Sequence, residues 1–252
     1  MKNECSQKVP KIIHQIWAGI DEPLPAYFQV LGETWKYNHP TWSYEFWDNE
    51  RMNRFVIEYY PKFWKRYNEF YYNIQRWDAI RYLILDKIGG MYVDFDYESI
   101  QPMDSLIKDK TCCFALEPEH QYAFFNKEIM FNNALMVSAP EHPFIKKILE
   151  YVFSEKSIKY PITPKEDCIM NTTGPFMLID LYQSLREDEK EGVYLIPSER
   201  VTPYDSFQSR AIVAGNTSYY LENQLKNAFA LHYFNNAWRD NEFCDTIKFE
   251  LK

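Results

Sequence analysis

"GGMYVDFDYESI", Gly89 to Ile100, is the stretch on which the reading of this chain turns. A short apolar run leads into Asp94, Asp96 and Glu98 at alternate positions. Alternate residues of a strand face the same way, so a continuous strand would place three carboxylates on one face. Like charges crowded this way need either water or a cation among them. An EF-hand loop starting at Asp94 would need Gly where Ser99 stands and Glu where Ser105 stands, which excludes it. What remains is Asp-x-Asp at the end of an apolar strand, and strand ends in open α/β sheets are where ligands bind. Magnesium and manganese take carboxylate oxygens together with substrate phosphates. The pattern therefore points to a cation that bridges Asp94 and Asp96 to a diphosphate and stabilises that group as it departs.

Immediately upstream, "NIQRWDAIRYLILDKIGG" predicts a helix with Trp77, Ile80, Ile84 and Ile88 as one apolar stripe and Gly89 as its stop. Asp78 and Arg81, at i and i+3, share a face beside that stripe. They read either as a surface ion pair or as a pair that reaches sugar hydroxyls and phosphate. Further out, strands are predicted at Lys11–Trp17 and in "WSYEFWD", "TCCFALE", "NNALMVSAP", "GVYLIP" and "NAFALHYF". Helices are predicted at Ala26–Tyr37, on both sides of Pro61, in "HPFIKKILEYVF" and from Pro175. Strands and helices alternate early and strands dominate late, which implies an α/β fold with a mixed, mostly parallel sheet flanked by helices. No repeat or linker divides the chain, so residues 1–252 are expected to form one catalytic domain.

The totals narrow the function. A formal net charge of -8 opposes non-specific nucleic-acid binding. Aromatic residues make up 18%, and such side chains suit stacking on sugars and bases. Five cysteines, two of them adjacent and none in a CxxC pair, suit a reduced, cytoplasmic setting. The N-terminus carries no apolar run long enough for a signal or a membrane span, so membrane contact is expected to be peripheral at most. His14 alternates with Ile12 and Ile16 and is expected to pack within the sheet.

"PKIIHQIWAG", "WDAIRYLILDKIGGMYVDFD", "TTGP" and "HYFNNAW" together resemble the DXD-motif sugar transferase family, glycosyltransferase family 32. That family includes bacterial capsule and lipopolysaccharide transferases and the yeast initiating mannosyltransferase. The resemblance implies a GT-A fold, a nucleotide-sugar donor, manganese (or magnesium) as cofactor, and retention of anomeric configuration. It makes Asp94, Asp96 and Arg81 the catalytic group. Trp17 would lie beside the base, Asp78 and Arg81 would contact the donor sugar, and Asn132 or Asn133 would be a polar neighbour of it. Asp94 and Asp96 would hold metal, ribose or sugar. His232 would be a third metal ligand, with Asn235 or Asn236 as substitutes, and Trp238 would close over the diphosphate. The family implies a glycan or lipid-linked acceptor, and the expected setting is bacterial surface polysaccharide synthesis at the inner face of the membrane. Two other classes compete: a metal-dependent phosphohydrolase, and an inactive sugar- or nucleotide-binding protein on the same fold. The first would need more His and Asp ligands; the second, a broken Asp-x-Asp or Asp-x-x-Arg.

Overall fold

The computed structural model describes residues 8–235 apart from 21, 159, 161–163 and 217. The strands are β1 (Ile12–Ile16), β2 (Ser43–Trp47), β3 (Gly90–Val93), β4 (Tyr97–Ser99), β5 (Cys112–Leu116), β6 (Phe131–Ser138), β7 (Tyr194–Ile196) and β8 (Ala230–His232). Six of them form one sheet in the order β2-β1-β3-β6-β5-β7, while β4 and β8 pair in a separate ribbon. Three of the five pairings in the large sheet are parallel (β1 with β2, β1 with β3, β5 with β7), and β6 runs antiparallel to both its neighbours. The sheet is mixed and mostly parallel, as the sequence implied.

The helices are α1 (Ala26–Asn38), α2 (Asn49–Tyr59), α3 (Pro61–Glu69), α4 (Asn73–Lys87), α5 (His120–Phe124), α6 (Pro143–Val152), α7 (Glu155–Ile158), α8 (Lys165–Thr172), α9 (Pro175–Gln183), α10 (Glu187–Lys190), α11 (Ser198–Val201), α12 (Ser206–Val213) and α13 (Tyr219–Leu225). The expected dominance of strands late in the chain is not found: after β6 the described residues are mostly short helices. Several start at a Pro or an acidic cap, such as Asp205 before α12, and are too short to build a periodic apolar stripe.

Two expectations change around the acidic stretch. Helix α4 is buried on nearly every side, Asp78, Arg81 and Asp86 included, rather than along one stripe. It packs between the sheet and α2, α6 and α8, so the Asp78–Arg81 pair lies inside the protein. The strand after it stops at Val93. Asp94, Phe95 and Asp96 form a turn, with the Tyr97 amide donating to the Asp94 carbonyl at 3.2 Å, before β4 begins. Asp94, Asp96 and Glu98 thus do not share the face of one strand. Glu98 lies past the turn and accepts a hydrogen bond from the Tyr233 hydroxyl at 2.6 Å.

The Gly-Gly between α4 and β3 has a steric cause. Gly89 and Gly90 take φ of 72° and 103°. A Cβ on Gly90 would stand 2.6 Å from the Ile12 carbonyl oxygen, and one on Gly89 2.7 Å from Pro140 Cδ. Only glycine lets the chain leave the helix and enter the sheet this closely. His14, fully buried, sits beside this junction. Its Nε2 donates to the Gly89 carbonyl at 2.9 Å and its Nδ1 accepts from Trp47 Nε1 at 3.2 Å, so the neutral ring is fully paired. Burial, opposed by the Gly89 carbonyl, holds it down at about 4, below the usual 6.5. Between those values the unfolded chain binds a proton that the folded chain does not, so stability falls as pH drops from 6.5 to 4. The loss should approach about 3 kcal/mol. Urea unfolding of wild type and His14→Gln at pH 7 and pH 4.5 tests this: the variant should lose less on acidification, and parallel losses would sink the assignment.

Candidate active site

The carboxyl ends of β1, β3 and β5, the DXD turn, α4 and the N-terminus of α12 surround a cavity of about 590 Å³, within the range of small-ligand sites. Its first wall comes from α4. Arg81 is 5% exposed and is shared between two carboxylates: Nη2 lies 3.3 Å from Asp78 Oδ1, and Nη1 lies 3.4 Å from Asp94 Oδ1. Its Nη1 also donates to the Asn133 carbonyl at 2.9 Å, its Nε donates to the Trp77 carbonyl, and its guanidinium lies over the Tyr92 ring. Asp78 accepts further bonds from Asn133 Nδ2 at 2.9 Å and Thr173 Oγ1 at 2.8 Å. Burial outweighs these partners and pushes Asp78 up to about 6. For Arg81 the balance reverses: burial works against its charge, but Asp94, Tyr92 and Asp78 raise its proton affinity overall. Burial accounts for the rise of Asp78, and two carboxylates beside one cation for that of Arg81.

The turn carries the second group. The Tyr92 hydroxyl donates a short hydrogen bond to Asp94 Oδ1. Asp96 faces the ribbon: its Oδ2 accepts the Asn235 amide at 2.9 Å and lies 3.4 Å from His232 Nε2. The β4–β8 ribbon makes this meeting, since Tyr97 pairs with His232 across it and the two rings stack 4.2 Å apart. His232 is thus both on a buried strand and next to Asp96, and its Nδ1 has no hydrogen-bond partner. Burial opposes the charge on each, yet the two together hold Asp96 low and His232 high.

A third wall was not anticipated. Asn132 and Asn133 are consecutive on β6 and point to opposite faces. Asn133 reaches Asp78, whereas Asn132 donates to Glu117 Oε1 at 2.7 Å and to the Tyr97 hydroxyl at 3.2 Å. Glu117 follows β5 directly, and its place at a strand end was the available signal. Tyr92, two residues before Asp94 on one strand face, and Thr173 of "TTGP" were likewise legible only as fragments. At the mouth, half-buried Trp17 packs edge-on to Phe28 at 5.6 Å and donates to the Glu22 carbonyl. The structure thus brings Trp17, Asp78, Arg81, Asp94, Asp96, Asn132, Asn133 and His232 to one cavity. The Asn235 side chain instead donates to the Tyr27 hydroxyl. Asn236 and Trp238 lie outside the described residues.

Could these residues hold a divalent cation? The lining has six carboxylates (Glu22, Asp78, Asp94, Asp96, Glu117, Asp205) against two guanidiniums, Arg81 and Arg210. A diphosphate would be repelled without added positive charge. Asp96 and His232 supply a hard oxygen and an imidazole side by side. Among the described residues no group of three or more His, Cys, Asp and Glu is placed to hold a cation alone. The donor set suits a cation that completes its shell with phosphate oxygens and water.

Residues 25–113 match the family model described as the glycosyltransferase sugar-binding region containing the DXD motif. The chain is 32% identical to inositol phosphoceramide mannosyltransferase 1 of Schizosaccharomyces pombe over 68% of its length and 50% of the relative's. It is 28% identical to a mannosyl phosphorylinositol ceramide synthase of Saccharomyces cerevisiae, over 90% and 56%. Over residues 25–113 the chain carries the DXD-motif region of this sugar transferase family. It spans about half the length of these curated relatives. An uncharacterized glycosyltransferase of Acanthamoeba polyphaga mimivirus is 24% identical over 89% of this chain and 85% of its own. Among solved structures, the UDP-bound glycosyltransferase domain of the YGT toxin superposes with a TM-score of 0.53 at 8% identity, covering 87% of this chain and 89% of that one. The PaToxG glycosyltransferase superposes at 0.50 and 18%, covering 70% of each. That likeness is one of fold, and the fold of this chain is GT-A.

Proposed function

We propose that this protein transfers a hexose from a nucleoside-diphosphate sugar to a hydroxyl of a glycan or lipid-linked acceptor, with a divalent cation at Asp96. The observation that carries the reading is Arg81 shared by Asp78 and Asp94 in a cavity that also holds Asp96 beside His232. The names of the curated relatives favour mannose as the sugar and an inositol-phosphate lipid as the acceptor, over the bacterial surface polysaccharide expected from sequence. Peripheral contact with a membrane surface would suit such an acceptor. Among the described residues no helix is long and apolar enough to cross one.

In this reading Asp78, Arg81 and Asn133 orient the donor sugar, and Asp94 keeps Arg81 in place. Asp96 and His232 would hold manganese or magnesium, which when bound would offset the charge of the departing diphosphate. The acceptor hydroxyl attacks from the side the diphosphate leaves, and the departing phosphate takes its proton, which retains configuration without a protein nucleophile. A phosphohydrolase would need a fuller ligand set than Asp96 and His232 supply. A panel of nucleotide sugars with manganese, read as nucleoside diphosphate release, tests the proposal: release should be greatest with a mannose nucleotide, and no release from any donor would refute it.

Trp17 is assigned to the base. Stacking of this kind is worth roughly 1–3 kcal/mol, so Trp17→Ala should weaken nucleoside diphosphate and nucleotide sugar alike, by about 5- to 150-fold. Calorimetry with the folded variant checks it, and unchanged affinity would make Trp17 a packing residue against Phe28.

A further inference from the structure

Glu117 is buried, 5% exposed, yet it lines the cavity. Its carboxylate is fixed from one side only. Oε1 accepts from Asn132 Nδ2 at 2.7 Å, and Asn132 is itself pinned because its Oδ1 accepts the Ala134 and Leu135 amides at 3.1 and 3.2 Å. The Glu117 backbone is held too, its amide donating to the Met130 carbonyl at 2.9 Å. Oε2, by contrast, has no hydrogen-bond partner at all. Buried carboxylate oxygens are rarely left so, because the lost hydration is not recovered. A rigid acceptor atom of this kind in a ligand cavity is placed to take a hydrogen bond from a bound ligand.

We infer that Glu117 is an acceptor-binding residue, whose Oε2 receives a hydrogen bond from a hydroxyl of the sugar or polyol that accepts the transferred hexose. The inference rests on the transferase reading above and adds a specificity-determining residue to it. Two observations select a hydroxyl of the acceptor. First, Asn133 and its neighbour Asn132 point to opposite faces: the Asn133 side chain reaches Asp78, assigned above to the donor sugar, whereas Asn132 reaches Glu117 and Tyr97. Glu117 thus stands apart from the Asp78–Arg81 group, on the side of His232 and Asp96, whose charges act on it. Second, Glu117 leads directly into α5, whose His120 and Gln121 line the cavity, and His120 Nε2 meets Asp205 Oδ2 at 2.6 Å. With Phe207 and Arg210 of α12, also lining the cavity and largely exposed, this forms a rim open to an incoming molecule. A carboxylate accepting from one or two vicinal hydroxyls is a common way to recognise a polyol, and its charge strengthens the bond.

Glu117→Gln separates the roles. The amide keeps the size and can still accept from Asn132, but it presents N–H where the carboxylate presented an acceptor. With a mannose nucleotide as donor and inositol phosphoceramide in mixed micelles or methyl α-mannoside as acceptor, kcat/KM for the acceptor should fall roughly 10- to 150-fold. Donor KM, and nucleoside diphosphate release without acceptor, should stay within about twofold. Should the amide impair folding, as judged by thermal melting, Glu117→Asp keeps the charge but withdraws it by one methylene and should show the same split. Unchanged acceptor kinetics in the folded variants would overturn the inference, and so would an equal loss in donor KM, which would place Glu117 on the donor. A wild type that releases no nucleoside diphosphate from any donor would instead overturn the transferase reading itself.

Discussion

Arg81→Ala should destabilise the protein by about 3–5 kcal/mol, the range for removing one partner of a buried charge pair. The side chain is 6% exposed and stands between Asp78, at 5%, and Asp94, at 29%. Without it two carboxylates face each other with no cation between them, and burial already pushes Asp78 up to about 6. Nor can Lys replace the guanidinium fork, which spans Asp78, Asp94 and the Asn133 carbonyl at once. Arg81→Lys should keep part of the stability and lose most of the transfer. Urea unfolding measures the first effect and nucleoside diphosphate release the second. A loss under about 1 kcal/mol for Arg81→Ala would put the pair in the class of exposed ion pairs, against the burial described here.

Asp96→Asn should have the opposite balance, costing less stability than Arg81→Ala, because His232 can shed its proton, and removing the chemistry. The Asn oxygen can still accept the Asn235 amide, so the turn survives. An uncharged amide is a poor ligand for a hard cation, and turnover in manganese should fall roughly 100-fold or more. Asp94→Asn should cost both stability and turnover, because Asp94 also neutralises Arg81. Near wild-type turnover in folded Asp96→Asn would leave the Asp-x-Asp without a catalytic role.

The different behaviour expected of the two aspartates shows what the sequence made legible. The order of helix α4, Gly-Gly, apolar strand and Asp-x-Asp was readable, because Gly89 and Gly90 punctuate it and the apolar run is unbroken. So were β1, α1, the break at Pro61 and the start of α9 at Pro175. The strand after Gly89 is shorter than the alternation implies, ending at Val93. Alternation in "VDFDYESI" continues through the turn, because Phe95 within it and Tyr97 after it are both buried, and periodicity alone does not reveal a switch from one sheet to another. Asp78 and Arg81 looked like an ordinary i,i+3 pair because exposure depends on α2, α6 and α8 covering α4, a long-range fact. Glu117 is hidden in the sequence for the same reason: its partner Asn132 is brought to it by β6, and the Tyr97 hydroxyl that Asn132 also reaches comes from the β4–β8 ribbon. His232 came from a family resemblance, and the ribbon pairing supplies the physical reason it reaches Asp96.

The central claim is that this cavity binds a nucleoside diphosphate through a cation held at Asp96. Calorimetric titration of guanosine and uridine diphosphates into the wild type, with manganese and then with a chelator, tests it most directly. At least one of them should bind with manganese, lose roughly tenfold or more in affinity on chelation, and show no manganese dependence in Asp96→Asn. Equal affinity with and without the metal, in both proteins, would contradict it.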